Sequence, residues 1–171
     1  RLTALGRLEK FWFTDFDPVV LVPMRVLIGL SLAGHYVATL NEFDLIYHPA
    51  GVINYINKGV QIPVFLLTVI YGAAIAGGIL FAIGAYTRTS GFAALVAHFY
   101  LVVVIGFSNA GWAPMMIPTL MLCLIANCGA RWSYDSYRRF KSDISEPELA
   151  RGWAVRLLQI LFCTIYWGAV L

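Results

Sequence analysis

Residues 62–85 read IPVFLLTVIYGAAIAGGILFAIGA, twenty-four consecutive positions without one charged side chain. A helix of that length rises about 36 Å, enough to cross the roughly 30 Å hydrocarbon layer of a bilayer. Pro63 suits its first turn, where a missing N–H breaks no hydrogen bond. Gly72/Ala76, Ala73/Gly77 and Ala74/Gly78 place small residues four apart, so another helix can approach closely. Four further apolar stretches accompany this one, at 18–40, 90–107, 112–127 and 153–171. The shorter of them are usable as crossings beside longer neighbours.

Composition points the same way. Hydrophobic residues make up 60% of the chain and charged ones only 12%, against roughly 25% charged in soluble domains. The expected fold is all-α: one integral membrane domain over residues 1–171, a bundle of five transmembrane helices behind a short N-terminal interfacial helix. That first helix is read from Leu2, Leu5, Leu8 and Phe11, spaced by three and followed by Trp12 and Phe13, with Arg7, Glu9 and Lys10 between them. No connection is long enough for a separate soluble core. The net charge of +3 is small and its basic residues flank the spans. They imply anionic lipid head groups as partners and exclude nucleic acid.

Charge also orients the chain. Arg1, Arg7, Lys10, Arg88, Arg131, Arg138, Arg139, Lys141 and Arg151 fall on the N-terminal arm, the 86–89 turn and the 128–152 connection. The opposite side carries only Lys58. The Lys/Arg bias predicts a cytoplasmic N-terminus in the inner (plasma) membrane, with the C-terminal end facing outward. The chain begins at Arg1, without a Met, and its last span runs to Leu171, so it reads as part of a longer one.

Between the spans, Asp17-Pro18 reads as a helix cap followed by a first-turn proline. Tyr47-His48-Pro49-Ala50-Gly51 reads as an outer turn, and Ser145-Glu146-Pro147-Glu148 as a helix start. The turns at 84–88 and 108–112 are short enough to make the spans they join antiparallel neighbours. Pro118, a turn after Pro114, predicts a bend in the fourth span. Cys123, Cys128 and Cys163 read as buried small hydrophobes, since five-residue spacing on a helix suits neither a disulfide nor a shared metal.

Candidate chemistry rests on the few ionisable residues in the spans, where a lone charge costs at least about 2.5–3.5 kcal/mol. Arg25 lies seven residues past Pro18; it either reaches back to lipid phosphates or a loop acid such as Asp17 or Asp135, or binds an anionic head group in a cavity. Arg156 sits near the inner end of the last span, with Gln159 one turn on. Arg25, Arg156, Gln159, Arg88 and Asp135 are the head-group candidates. His98 and His35 are either histidines hydrogen-bonded to neighbouring helices, or proton-transfer groups, or axial ligands of a haem or pigment. At 1.5 Å per residue they lie roughly 13 and 25 Å from the inner face, which argues against both holding one haem. No span holds a carboxylate, so no catalytic residue and no metal set emerges.

In order along the chain, Asp17-Pro18 with Arg25 and Gly29, Tyr47 with Gly51-Val52, Gly84 with Arg88, Trp132-Ser133-Tyr134-Asp135, and Arg156 with Gln159 and Tyr166 resemble the membrane domain of vitamin K-dependent gamma-carboxylases and their bacterial HTTM (horizontally transferred transmembrane) relatives. The resemblance implies a membrane bundle and a quinone-type cofactor. That family's catalytic lysine follows the fifth span, beyond Leu171, so no catalytic residue is carried over. The preferred expectation is a non-catalytic integral subunit, or a lipid- or cofactor-binding component, of a larger respiratory or photosynthetic membrane complex. Its partners would be lipids and other integral subunits, and its cofactor a quinone, lipid, pigment or haem. The alternative is a quinone- or vitamin K-type carboxylase or oxidoreductase. A transporter should show paired repeats with broken helices, and no internal repeat is found.

Overall fold

The apolar stretches become helices whose ends are set by identifiable caps. The computed structural model describes residues 4–43, 63–104, 112–142 and 149–170. Ala4–Phe13 forms α1, with Leu5, Leu8, Phe11 and Phe13 exposed. Asp17 then accepts a hydrogen bond from Val19 N–H at 3.0 Å and starts a 3-10 turn, Pro18–Leu21, that runs into α2, Val22–Ala38. α3 spans Val64–Ile83 and ends on Gly84, whose φ of 76° is the left-handed geometry that glycine adopts without penalty. The N–H groups of Gly84 and Ala85 both return to Leu80 O at 2.9 Å. α4 begins at Thr87 and runs to Phe99, then widens into a π turn over Tyr100–Val104. α5 covers Ala113–Ile125 and contains Pro118 without ending there.

A short amphipathic helix, α6 (Tyr134–Lys141), occupies the connection before the last span. Sequence reading passed over it. Ser133 caps it through a box in which Ser133 Oγ accepts from Ser136 N–H, and Ser136 Oγ accepts from Ser133 N–H. α7 runs Gly152–Val170. The Tyr47–Gly51 turn, Lys58, the 108–111 turn and the helix start expected at Ser145–Glu148 lie outside the described residues.

No strand occurs among the described residues. α3 is the central helix, packed by α2 on one side and α4 on another. Gly29 and Gly78 bring α2 and α3 together: a Cβ on Gly29 would come within 2.6 Å of Gly78 O. Gly77 does the same against α4, where a Cβ would meet Ala94 and Ser90 O at 3.1 Å. Two of the three expected small pairs therefore serve close approach, while Gly72 and Ala76 face outward. Leu32, Tyr36, Ala74, Phe81, Leu101 and Leu120 form the core. Leu27, Phe65, Ile83, Phe92, Val96 and Met121 remain on the outside, an apolar exterior suited to lipid.

Two helical runs are long and apolar enough to cross a bilayer by themselves, Pro18–Glu42 with 25 residues and Val64–Ile83 with 20. Ala113–Ile125 and Gly152–Thr164 are shorter apolar helices. Length and hydropathy thus support a membrane helical protein, with two rather than five qualifying spans among the described residues.

One end of the bundle is stitched together by backbone and charge. Phe16 and Ala150 exchange backbone hydrogen bonds at 3.0 and 2.9 Å, and Gly152 N–H reaches Asp15 Oδ1 at 3.3 Å. Arg131 Nε lies 3.6 Å from Asp17 Oδ1. The N-terminal arm, the connection after α5 and the start of α7 thereby meet at the same end as the α3–α4 turn, which Asp135 holds from α6.

Candidate functional site

The polar residues gather in three places. The first is the stitched end. Arg25 is buried on α2, with 1% of its surface exposed. Its guanidinium donates from Nη1 to Cys128 O at 2.9 Å and Arg131 O at 3.3 Å, and from Nη2 to Trp132 O at 2.6 Å. A planar fork sends donors from two nitrogens to three carbonyls of one turn, whereas a Lys ammonium would have to reach all three from a single atom. Of the loop acids considered from sequence, neither Asp17 nor Asp135 hydrogen-bonds Arg25; its protein partners are backbone carbonyls. Asp17 pairs with Arg131 instead, and Asp135 turns to α4.

Asp135 accepts from Tyr86 N–H through Oδ1 at 2.8 Å, and from Thr87 N–H and Thr87 Oγ1–H through Oδ2 at 2.7 and 2.8 Å. Partial burial pushes its carboxyl up, but the bonds from Thr87 and Tyr86, with the charge of Arg139, outweigh that and hold it below the usual carboxylate range. A carboxylate at the first turn of α4 also meets the positive end of that helix dipole. Tyr86, Asn127 and Trp132 all have positive φ, at 48°, 61° and 46°. They are the non-glycine residues of that kind among the described ones, and such geometry clusters where a site over-determines the backbone. Between these turns opens a cleft of about 590 Å³ bordered by Tyr86, Arg88, Asn127, Asp135, Arg138 and Arg139. Arg139 Nη2 donates to Gly129 O at 3.1 Å and Arg138 Nη1 lies 3.5 Å from Tyr86 Oη. Arg138 and Arg139 were not singled out from sequence. Their signal was the pairing of two basic residues with Tyr134, Tyr137 and Phe140 at three-residue spacing.

The second place is a groove of about 390 Å³ between α1 and α7, lined by Phe11, Arg156, Gln159, Cys163 and Trp167 among others. Arg156 Nη1 donates to Gln159 Oε1 at 2.9 Å. Its guanidinium carbon lies 4.3 Å from the Phe11 ring centre and 4.7 Å from that of Phe16, so the charge is held by two aromatic rings. Arg88 and Asp135 are therefore brought to one cleft, Arg25 sits behind its floor, and Arg156 with Gln159 forms a separate pair.

The third place is the other end of the bundle. His98 Nε2 lies 2.8 Å from Ala113 O, which can only accept, so in the neutral ring Nδ1 is the acceptor of the Tyr36 hydroxyl, also at 2.8 Å. Tyr71 donates to Tyr36 O at 2.8 Å, and Thr39 bonds the Tyr71 hydroxyl. His35 packs edge-on against Tyr36 and Trp112, with ring centres 5.1 and 4.7 Å apart. Both histidines contact Tyr36, so the large difference in depth expected between them is absent. α4 leaves regular geometry two residues after His98 and continues as the π turn, and the first residue of α5 bonds the His98 ring. An iron or magnesium at His98 would have to displace Tyr36 or Ala113 O. Among the described residues no group of three His, Cys, Asp or Glu could hold a metal ion. Cys123 and Cys128 are buried free thiols, whereas Cys163 is exposed rather than buried as expected.

Comparison with known families settles the lineage. Residues 20–111, more than half of the chain, match the DoxX family. No curated protein and no solved structure matches. The resemblance to HTTM proteins and vitamin K-dependent carboxylases is thereby overturned, DoxX being a distinct membrane-associated family. The structure gives the physical reason. Asp17-Pro18, Gly84 and Ser133-Tyr134-Asp135 are helix-end devices, and Arg25 is tied to a turn between helices. Any bundle with short turns needs such residues at similar separations.

Proposed function

The chain belongs to the DoxX family, and from that we propose that it is a non-catalytic integral subunit of a larger membrane complex. In this reading α2, α3, α4 with its π turn, α5 and α7 cross the inner (plasma) membrane, and the stitched end with its basic residues is cytoplasmic. The carrying observation is the use made of the interior polar groups: Arg25, Tyr36 and His98 are each bound to backbone or to one another across elements distant in sequence. They hold the bundle together, while its outer faces stay apolar, as lipids or neighbouring subunits require.

The reading is tested in two steps. Solubilised in a mild detergent, the tagged protein should run in one assembly with another integral protein at fixed ratio, and deleting this chain should abolish that assembly. Migration alone as a single copy would refute the subunit role. Single cysteines at positions 7 and 142 should resist an impermeant maleimide added outside intact cells, and one at position 58 should react; the reverse pattern would invert the topology.

A quinone-linked oxidoreductase is the second reading, favoured by the α1–α7 groove, where a polar ring would meet Arg156 and Gln159 and an isoprenoid tail the apolar wall. Purified protein that neither binds nor turns over a reduced quinone would remove it.

A further inference from the structure

The cleft at the stitched end is basic, and the surface around it is aromatic. Arg88, Arg138 and Arg139 border it beside one carboxylate, Asp135, whose oxygens are already taken by Tyr86 and Thr87. The charge left facing the cavity is positive. Alongside, α6 exposes Tyr134, Tyr137 and Phe140 at 51%, 65% and 85%, and Trp132, just before it, is 77% exposed. At about 100° per residue the three α6 aromatics cover an arc of roughly 120°, with Asp135 and Arg139 on the opposite side, against the protein. In water such a row only costs free energy. At the depth of lipid head groups it is the expected composition, because amphipathic rings gain from lying between hydrocarbon and water.

Basic cleft and aromatic row together specify the ligand. We infer that the cleft binds the phosphate of an anionic phospholipid, with that phosphate between Arg88 and Arg138 and the acyl chains leaving past the α6 aromatics. The volume of about 590 Å³ exceeds the need of a bare phosphate and admits a head group. Arg88 and Arg138 lie at the exposed rim of the cleft, where a guanidinium with five donors can bond phosphate oxygens alongside a protein partner. Arg139, tied to Gly129 O and Ala130 O, fixes the floor of the cleft and adds charge. The inference rests on the chain being embedded in a bilayer, and is independent of whether it has partner subunits.

The experiment uses purified full chain in neutral detergent, with thermal unfolding and native mass spectrometry as readouts. Phosphatidylglycerol should raise the unfolding midpoint saturably and remain bound in the mass spectrum, whereas phosphatidylcholine and inorganic phosphate should not. Arg88→Gln/Arg138→Gln should weaken the apparent affinity about tenfold, the loss of roughly one unit of head-group attraction per cation partly offset by water. Its midpoint in detergent alone should stay near wild type. Arg7→Gln/Arg151→Gln removes the same charge away from the cleft and should bind like wild type. Should the cleft pair fail to fold, Arg88→Lys/Arg138→Lys keeps the charge without the fork and should fall between wild type and no selectivity. Equal affinity in the folded cleft variants, equal loss in the control pair, or inorganic phosphate that saturates and displaces the lipid would each overturn the inference. Failure of the membrane reading shows separately, as protein that does not float with liposomes.

Discussion

Replacing Arg25 by Met keeps the length of the side chain and removes its five donors. Three carbonyls lose their partner: Cys128 O in the buried interior, and Arg131 O and Trp132 O at its edge. A buried acceptor left unmade costs about 1–3 kcal/mol, and the two edge carbonyls regain part of theirs from water. Removing the desolvated charge itself gives something back. The net expectation is a loss of about 3–5 kcal/mol, the scale seen when one partner of a buried charged interaction is deleted. For a domain of this size that corresponds to a fall of roughly 6–20 °C in the unfolding midpoint. The assay is thermal unfolding in detergent followed by tryptophan fluorescence, with size-exclusion recovery after heating as a second probe. Arg25→Lys should fall between the two, since its donors all leave one nitrogen and cannot reproduce the spread of the guanidinium fork. If Arg25→Met unfolds within a few degrees of wild type but no longer retains phosphatidylglycerol, the structural role is wrong and Arg25 is a ligand group.

Gly84→Ala should destabilise by about 2–4 kcal/mol, because its φ of 76° disfavours a Cβ and that Cβ would sit 2.4 Å from Ser133 Cβ; an unchanged midpoint would show that the α3–α4 turn is not tightly packed. Asp135→Asn should cost about 1–2 kcal/mol at neutral pH, by the loss of a charged cap on α4. The folded-state carboxyl is held low, so the stability it confers is present above the unfolded value near 3.9 and is lost as pH falls through the lower folded value. Wild type and Asp135→Asn should therefore converge on acidification, and a gap that widened instead would contradict that assignment. Tyr36→Phe strips His98 of its hydroxyl donor and should lower stability by about 1–3 kcal/mol, read by the same unfolding assay; no effect would mean that water replaces the hydroxyl there.

Sequence carried the helices well and their partners poorly. The apolar stretches, the Asp17 cap and the Gly84 turn follow from hydropathy and local stereochemistry, and each lies within a few residues of its place in the structure. The destination of Arg25 could not be read, because its acceptors are backbone carbonyls more than a hundred residues away and carbonyls carry no residue signature. α6 was missed because its capping box uses Ser136 where a Glu or Gln usually signals one. The start of α4 at Thr87, three residues before the expected Ser90, adds about 4.5 Å to the distance of His98 from the start of its helix. Family assignment failed for a related reason: short residue pairs at helix ends report helix ends, and many lineages share them.

The paired backbone bonds between Phe16 and Ala150 join the threshold of the first long helix to that of the last. A ribosome delivers the two partners far apart in time, although their bonds are mutual. The arm is made first and stays unlatched until residue 150 has emerged. This latch therefore closes only after the earlier helices have been made, and nascent chains truncated before position 150 should remain open to proteases along the arm even with those helices in place.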